Sequence, residues 1–279
     1  MAGRTVTLTR VLAMMTAAVL VCAGCTDRET PAAPAGPCAI VSNGTPTGKQ
    51  QGSDDESAPE TATGYRTGMT AVHTSHYAVA TANPLATRAA CEVLRDGGTA
   101  ADALVTAQAV LGLVEPQSSG LGGGAFLMHY DAATEAVTAY DGRETAPSAA
   151  TPELFYENGQ PLPFIDAVLS GRSTGAPGAV AMLAMAQKDH GRLAWRELFG
   201  DAERLARDGF VVSPRLAGMI NGRAPQARTR WASEYFTKAD GGRYQAGEVL
   251  KNPAYARTVR MLADQGPGVL YGGPLGQAV

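Results

Sequence analysis

Two neighbouring stretches of the chain carry the residue types best suited to holding a small anionic molecule. Residues 115–124 end in a glycine-dense turn that runs into an apolar, strand-like stretch at 125–130. Residues 141–147 place Arg143 where the next strand should end. Glycines let another backbone or a ligand approach closely, and a guanidinium can hold a carboxylate through two parallel hydrogen bonds. The pattern indicates a crowded pocket wall with a fixed cation beside it.

The glycine turn loosely fits a nucleotide-binding fingerprint, but its surroundings exclude that function. A dinucleotide fingerprint requires a strand before the glycines and a helix after them. Here a helix-like run at 100–113 precedes the turn and a strand-like run follows it. A phosphate-binding P-loop is excluded as well, because no Gly-Lys-Ser/Thr follows. Taken alone, the turn is most simply a tight structural turn.

Arg143 has two interpretations that its spacing does not separate. It could be a surface arginine paired with Asp141 and Glu144, an arrangement that stabilises a protein little. It could instead be a bidentate clamp for the carboxylate of a substrate.

Caps and periodicity predict the elements that must position these stretches. Asn83 and Pro84 favour a helix start, Gly97 a helix end, and Thr99 with Asp102 a capping box for a second, buried helix. We expect Asp102 to serve the helix start rather than chemistry. Further predictions are a first strand at 77–81, a hairpin of strands 125–131 and 138–141 joined by 132–135, and helices opening at 177, 194 and 213–214.

Several blocks, in one order along the chain, resemble the large subunit of the gamma-glutamyltranspeptidases. The resemblance is firm from about residue 77 to 212 and looser beyond. Any one block is weak, whereas the ordered set is specific. The blocks are residues 78–84, 97–103, 115–124, 142–147, 175–180, 195–199 and 205–211.

The resemblance implies an α+β fold, a four-layer αββα sandwich of the N-terminal-nucleophile hydrolase type that is incomplete in this chain. In that family a precursor cuts itself, and the new N-terminal threonine of the small subunit becomes the nucleophile, with its own α-amine as base. The γ-glutamyl group of glutathione or a related amide then passes to water or an acceptor amine. Arg143 would bind the α-carboxylate of this substrate. No cofactor and no metal are expected.

The chain departs from the family pattern because it ends at Val279, inside what resembles the large subunit. The expected nucleophile and oxyanion hole have no counterpart, so no catalytic residue is expected in this chain, which alone should be inactive. Thr74 echoes the start of a small subunit but precedes the first matching block. A small subunit carrying the threonine is therefore an expected partner. The alternatives are a cephalosporin-type acylase of the same fold, or a non-catalytic truncated surface lipoprotein.

The N-terminus predicts export. Arg4 and Arg10 precede an apolar run at 11–21 that is too short to span a bilayer, and Cys25 follows small residues as in a bacterial lipoprotein signal. We expect a signal peptide at 1–25 with Cys25 lipidated, a disordered tether at 26–68, and a domain at 69–279 held at the cell envelope. Ordinary secretion with nearby cleavage is the alternative.

The charge and the histidine and cysteine content limit the classes of partner and ligand that we expect. A net charge of −3, a pI near 5.8 and the lack of a basic patch interleaved with aromatics argue against nucleic acid. The four histidines are scattered, which disfavours a metal site. Cys91, in a helix, is expected to be a small buried hydrophobe. An export compartment would permit a disulfide with Cys38, although no feature of the sequence favours it.

Overall fold

The computed structural model of the protein describes residues 36–40, 45–46, 66–118, 120–222 and 225–278. Every described helix and strand lies in the unit Pro37–Val279. The predicted signal peptide at 1–25, with Cys25, lies outside the described residues, as does most of the predicted tether at 26–68. No helix in the described ranges is long and apolar enough to cross a membrane.

The described residues form an α+β structure, as expected, and helices make up most of its regular elements. The helices are α1 (Pro84–Arg95), α2 (Ala100–Val114), α3 (Phe164–Leu169), α4 (Ala179–His190), α5 (Gly200–Asp208), α6 (Pro214–Asn221), α7 (Arg230–Phe236), α8 (Pro253–Gln265), α9 (Gly268–Tyr271) and α10 (Pro274–Ala278). Short 3-10 helices cover Gly171–Ser173, Trp195–Phe199 and Pro225–Arg228. The strands are β1 (Thr45–Pro46), β2 (Arg66–Thr67), β3 (Ala125–Asp131), β4 (Ala136–Gly142), β5 (Tyr156–Glu157), β6 (Gln160–Pro161), β7 (Phe210–Val211) and β8 (Val249–Leu250).

The first two helices start where their caps predicted. The Asn83 side chain accepts a hydrogen bond from the Leu85 amide at 3.0 Å. Pro84 occupies the first turn, where a backbone N–H would have no partner within the helix. Thr99 and Asp102 form the capping box of α2. Most of α2 is buried, because α1, α4 and α5 pack around it. The main core lies among α2, α4, α5 and α8.

The predicted hairpin is confirmed and is the longest strand pair in the described structure. Strands β3 and β4 pair antiparallel from Ala125 opposite Gly142 to Asp131 opposite Ala136. The other described sheets have two residues per strand. The loop at 132–135 is held by the Ala133 amide, which donates to Asp131 Oδ1 at 2.8 Å. Residue 143 therefore directly follows the last residue of β4.

Three expectations about the elements need correction. Residues 77–81 are not a strand, because no described segment pairs with them; Val79 packs instead beside a small cluster that contains Ala90. Helix α4 begins two residues after the predicted start at Pro177, with Gly178 as its cap. The helix expected from 194 is a 3-10 turn followed by α5.

Cys91 is buried, as expected, but it also forms a disulfide with Cys38, which the sequence permitted without favouring, at a Cα–Cα distance of 5.6 Å. The bond joins residues 53 positions apart and attaches the segment at 37–40 to α1. The sequence had no means of choosing this pair, since separation along the chain says little about proximity in the fold. Part of the range assigned to the tether is thus covalently attached to the domain.

Candidate functional site

Three segments distant in sequence meet around Arg143. The first is the glycine turn, whose Gly123 carbonyl accepts a hydrogen bond from the Ala179 amide at 3.1 Å. The second is the end of β4 with the residues that follow. The third precedes α4, and it pairs with the second through Thr145 and Ala176, whose amides donate to each other's carbonyls at 3.4 and 2.9 Å. Backbone hydrogen bonds therefore fix the path of the chain on both sides of Arg143.

Close approach at Gly124 holds this junction together. A Cβ at Gly124 would lie 2.5 Å from Glu144 Oε2 and 2.8 Å from the Glu144 backbone nitrogen. A Cβ at Gly178 would overlap the Gly142 carbonyl oxygen. In contrast, a Cβ at Gly122 would meet no atom within 4 Å. The turn thus uses the absence of a side chain at selected positions, and none of its described glycines has a positive φ.

The Arg143 side chain has one described carboxylate partner. Its Nη1 lies 3.1 Å from Glu144 Oε2, while its backbone amide donates to Asp141 Oδ1 at 3.0 Å. Asp141 thus orients the backbone rather than neutralising the guanidinium. The Arg143 side chain is 55% exposed. The contact with Glu144 fits the surface-pair interpretation, yet it occupies one edge of the guanidinium.

Arg143 lines a surface cleft of about 490 Å³. One wall follows the end of β4, and the other comes from the region of β5 and the 3-10 turn Gly171–Ser173. Two guanidiniums and one carboxylate give the lining an excess positive charge of one. The polar and charged side chains of the lining are those of Arg143, Glu144, Thr145, Arg172, Ser173 and Thr174. Its apolar side chains are those of Ala146, Pro147, Leu154 and Phe155. A small zwitterionic or anionic molecule fits this chemistry.

A buried carboxylate lies between α2 and the glycine turn. Glu115, the residue that ends α2 and leads into the glycine turn, is fully buried. Its Oε1 accepts from Asn83 Nδ2 at 2.8 Å and its Oε2 from Gln117 Nε2 at 2.6 Å. Arg215 Nη1 lies 3.6 Å from Oε2. Sequence reasoning gave Glu115 no role, although a charged residue directly after an apolar helix was a usable signal of a buried partner set.

Asp102 connects the start of α2 with the segment that follows α4. Its carboxylate accepts hydrogen bonds from the Thr99 and Arg192 amides, both at 2.9 Å, and from Gln187 Nε2 at 3.2 Å. Burial raises the pKa of this carboxyl, but these bonds and one from the Leu193 amide outweigh burial and lower the pKa below its ordinary value. Asp102 therefore ties the start of α2 to the end of α4, beyond the cap role that was expected.

The histidines are less scattered than the sequence suggested. The rings of His129 and His190 stack with centroids 3.7 Å apart, and the Tyr140 hydroxyl lies 2.8 Å from His190 Nε2. No group of three metal-binding side chains occurs among the residues that the structure describes. Thr74 is exposed and outside any helix or strand. The structure brings neither it nor these histidines into the lining of the cleft.

Known proteins share this architecture. The family model for gamma-glutamyltranspeptidase matches residues 86–279. Glutathione hydrolase 3 of Arabidopsis thaliana is 38% identical over 66% of this chain and 28% of its own length. The glutathione hydrolase proenzyme of Bacillus subtilis (strain 168) is 36% identical over 70% of this chain and 33% of its own length. The chain thus spans about a third of the curated relatives that it matches.

Solved structures agree with the sequence relatives. Gamma-glutamyltranspeptidase from Pseudomonas nitroreducens, complexed with L-DON, superposes with a TM-score of 0.67 at 28% identity, covering 74% of this chain and 60% of that one. A cephalosporin acylase from Bacillus halodurans gives a TM-score of 0.56 at 26% identity, covering 69% and 35%. The fold is that of the N-terminal-nucleophile hydrolases, of which the chain holds a part. The chain belongs to the gamma-glutamyltranspeptidase family, as its sequence blocks predicted.

Proposed function

We propose that this chain is the large-subunit portion of an exported glutathione hydrolase or gamma-glutamyltransferase and that Arg143 binds the γ-glutamyl group. The observation that carries the proposal is the placement of Arg143, whose guanidinium lines the cleft at a junction fixed by close glycine packing. The names of the curated relatives support the same reaction. The substrate is a γ-glutamyl compound such as glutathione.

In the proposed reaction the nucleophile is a threonine of the small subunit. A threonine hydroxyl of the small subunit attacks the γ-carbonyl carbon of the substrate, and the threonine's own amine takes the proton. The bond to the departing amine breaks, and that amine takes the proton back, which leaves a threonine ester. Water or an acceptor amine then attacks the ester and releases the threonine. Arg143 acts throughout by holding the α-carboxylate and so fixing the γ-carbonyl in place.

The hairpin offers a surface for that partner. Phe126, Met128 and Tyr130 alternate along β3, so they share one face, and all three are exposed. Val137, opposite Tyr130 on β4, extends the same exposed face. An apolar sheet face of this kind is normally covered by another layer. The small subunit is proposed to pack here, as the second sheet of the sandwich.

Co-purification tests this partner surface. We expect Met128→Lys to leave the isolated chain folded, because the side chain is exposed, but to prevent assembly with the polypeptide that carries the threonine. Met185→Lys is the matched control, since Met185 is also exposed but lies on α4. Unchanged assembly of Met128→Lys would remove the hairpin face from the interface.

Export and a lipid anchor at Cys25 complete the proposal. The disulfide between Cys38 and Cys91 supports export, because such bonds persist in oxidising compartments. Mass spectrometry of the protein from its native envelope should find a lipid-modified Cys25 at the mature N-terminus and a linked Cys38–Cys91 peptide. Cys25→Ser should release the protein from the membrane fraction. A mature N-terminus elsewhere without lipid would leave ordinary secretion as the explanation.

Kinetics on the assembled protein test the role of Arg143. With the threonine-bearing polypeptide supplied, we expect Arg143→Ala to raise KM for a γ-glutamyl anilide about a hundredfold, since losing a charged hydrogen-bonded pair costs about 2–3 kcal/mol. Arg204→Ala is the matched control, because Arg204 is also 55% exposed and also pairs with one nearby carboxylate, Asp201. An unchanged KM for Arg143→Ala would reject the assignment.

The acylase structure favours a second candidate reaction. A glutaryl amide presents a carboxylate at the same distance from its amide as a γ-glutamyl amide but lacks the α-ammonium group. Turnover of both classes of amide by the assembled protein therefore separates the candidates. Preference for glutaryl amides would indicate an acylase, and absence of turnover with a folded, assembled partner would indicate a non-catalytic surface lipoprotein.

A further inference from the structure

A second arginine lines the same cleft as Arg143. Arg172 lies in the 3-10 turn Gly171–Ser173 and is exposed. Its Nη1 donates to the backbone carbonyl of Tyr156 at 3.0 Å and to that of Leu154 at 3.4 Å. Both bonds come from Nη1, so this one nitrogen fixes the orientation of the guanidinium. Nε and Nη2 have no hydrogen-bond acceptor among the described residues.

The charge of Arg172 is also uncompensated in the described part of the chain. No described carboxylate lies within 4.0 Å of its guanidinium, whereas Arg143 has Glu144 and Arg204 has Asp201. A guanidinium that is anchored on one side and lacks a counterion on the other is prepared for a planar anion, because its remaining N–H groups match a carboxylate.

We propose that Arg172 binds a second carboxylate of the substrate, on the part of the molecule that departs with the amine. The inference rests on the proposed function, in which Arg143 holds the γ-glutamyl head. That head carries one carboxylate and one ammonium, so it is neutral and leaves the excess positive charge of the cleft unbalanced. A second carboxylate balances that charge. The preferred substrates are therefore γ-glutamyl peptides rather than γ-glutamyl amides with uncharged leaving groups.

A structural role for Arg172 makes a different prediction. In that role, the hydrogen bonds from Arg172 to the Leu154 and Tyr156 carbonyls only connect the turn at 171–173 with the neighbouring segment of the same cleft wall. Its loss would then weaken every ligand alike. If Arg172 instead binds a carboxylate directly, its removal should weaken the binding of ligands with two carboxylates more than the binding of ligands with one.

The test uses the full chain and two probes that differ in one charge, γ-glutamylglycine and γ-glutamylglycinamide. Binding is followed by NMR titration at millimolar ligand. We expect the wild-type chain to bind γ-glutamylglycine about tenfold more tightly, with the difference shrinking as salt is added. Arg172→Gln should abolish the difference by weakening γ-glutamylglycine alone. Arg172→Lys should retain part of it, and Arg143→Gln should weaken both probes.

Each contrary result has its own meaning. Equal affinity of the wild-type chain for the two probes, or an equal weakening of both by Arg172→Gln, overturns the second carboxylate site and leaves the proposed function standing. Failure of the wild-type chain to bind either probe overturns the proposed γ-glutamyl site and this inference with it. If Arg172→Gln does not fold, the wild-type preference and the Arg172→Lys variant decide the question.

Discussion

Glu115 and Arg143 belong to neighbouring sequence blocks, yet the structure treats their charges in opposite ways. Glu115 is fully buried, and three side chains from three parts of the chain satisfy it. Arg143 is more than half exposed and has one carboxylate partner among the described residues. A buried charge must be fully partnered because desolvation is costly, whereas an exposed guanidinium can remain partly unpartnered until a ligand arrives. The first arrangement maintains the fold and the second is available for binding.

The largest expected effect follows from removing the buried charge. Glu115→Ala should lower the free energy of unfolding by about 3–5 kcal/mol, because Asn83, Gln117 and Arg215 each lose a fully buried charged partner. Urea unfolding followed by circular dichroism measures the change. Glu115→Gln keeps the shape and should cost less. A loss below about 1 kcal/mol for Glu115→Ala would break the contrast with the exposed cleft.

Backbone crowding between the two regions should give the next effect. Gly124→Ala places a methyl group against the Glu144 backbone, which cannot rotate away, and should cost about 2–3 kcal/mol. Gly122→Ala, in the same turn but with open space around it, should change stability by less than about 0.5 kcal/mol. Thermal unfolding of the two variants side by side gives the answer. Similar losses of stability in both variants would mean that contact with Glu144 is not the reason that the turn requires glycine.

Acid sensitivity offers a third comparison, centred on Asp102. Its folded pKa is lowered, so the stability that it contributes is fully present above the unfolded pKa of about 3.9 and is lost as pH falls through the folded value. Asp102→Asn should therefore cost about 2 kcal/mol at neutral pH, and the gap to wild type should narrow below about pH 4. Denaturant midpoints measured across pH test this. If the stability difference between wild type and Asp102→Asn did not change with pH, the surrounding donors would not be stabilising the ionised carboxylate.

The smallest expected effect is on the stability of the cleft variants. Arg143→Gln removes one exposed ion pair and should change the free energy of unfolding by less than about 1 kcal/mol. Chemical unfolding of this variant beside Glu115→Ala completes the comparison. A large loss for Arg143→Gln would mean that the arginine maintains the junction, and its proposed role in binding would need independent support.

Sequence reasoning succeeded where the signals act over a few residues. The Asn83 cap, the capping box of Thr99 with Asp102 and the loop of the β3–β4 hairpin were all predicted and found. It failed at residues 77–81, where a strand-like composition has no described neighbour to pair with. A strand depends on a partner that its own residues do not specify. The same limit concealed the disulfide between Cys38 and Cys91.

The candidate site divides along the same line. The sequence by itself determined the family, the glycine turn, the position of Arg143 at the end of a strand and the balance of charges, because each lies within a short block or a composition. Tertiary structure alone decided that Glu115 is buried against Asn83, 32 residues away, and that Asp102 receives Arg192 from 90 residues away. It also decided that Arg172 shares a cleft with Arg143. Burial and partnership of a charge depend on which distant segments pack together, and local residue patterns carry no record of that choice.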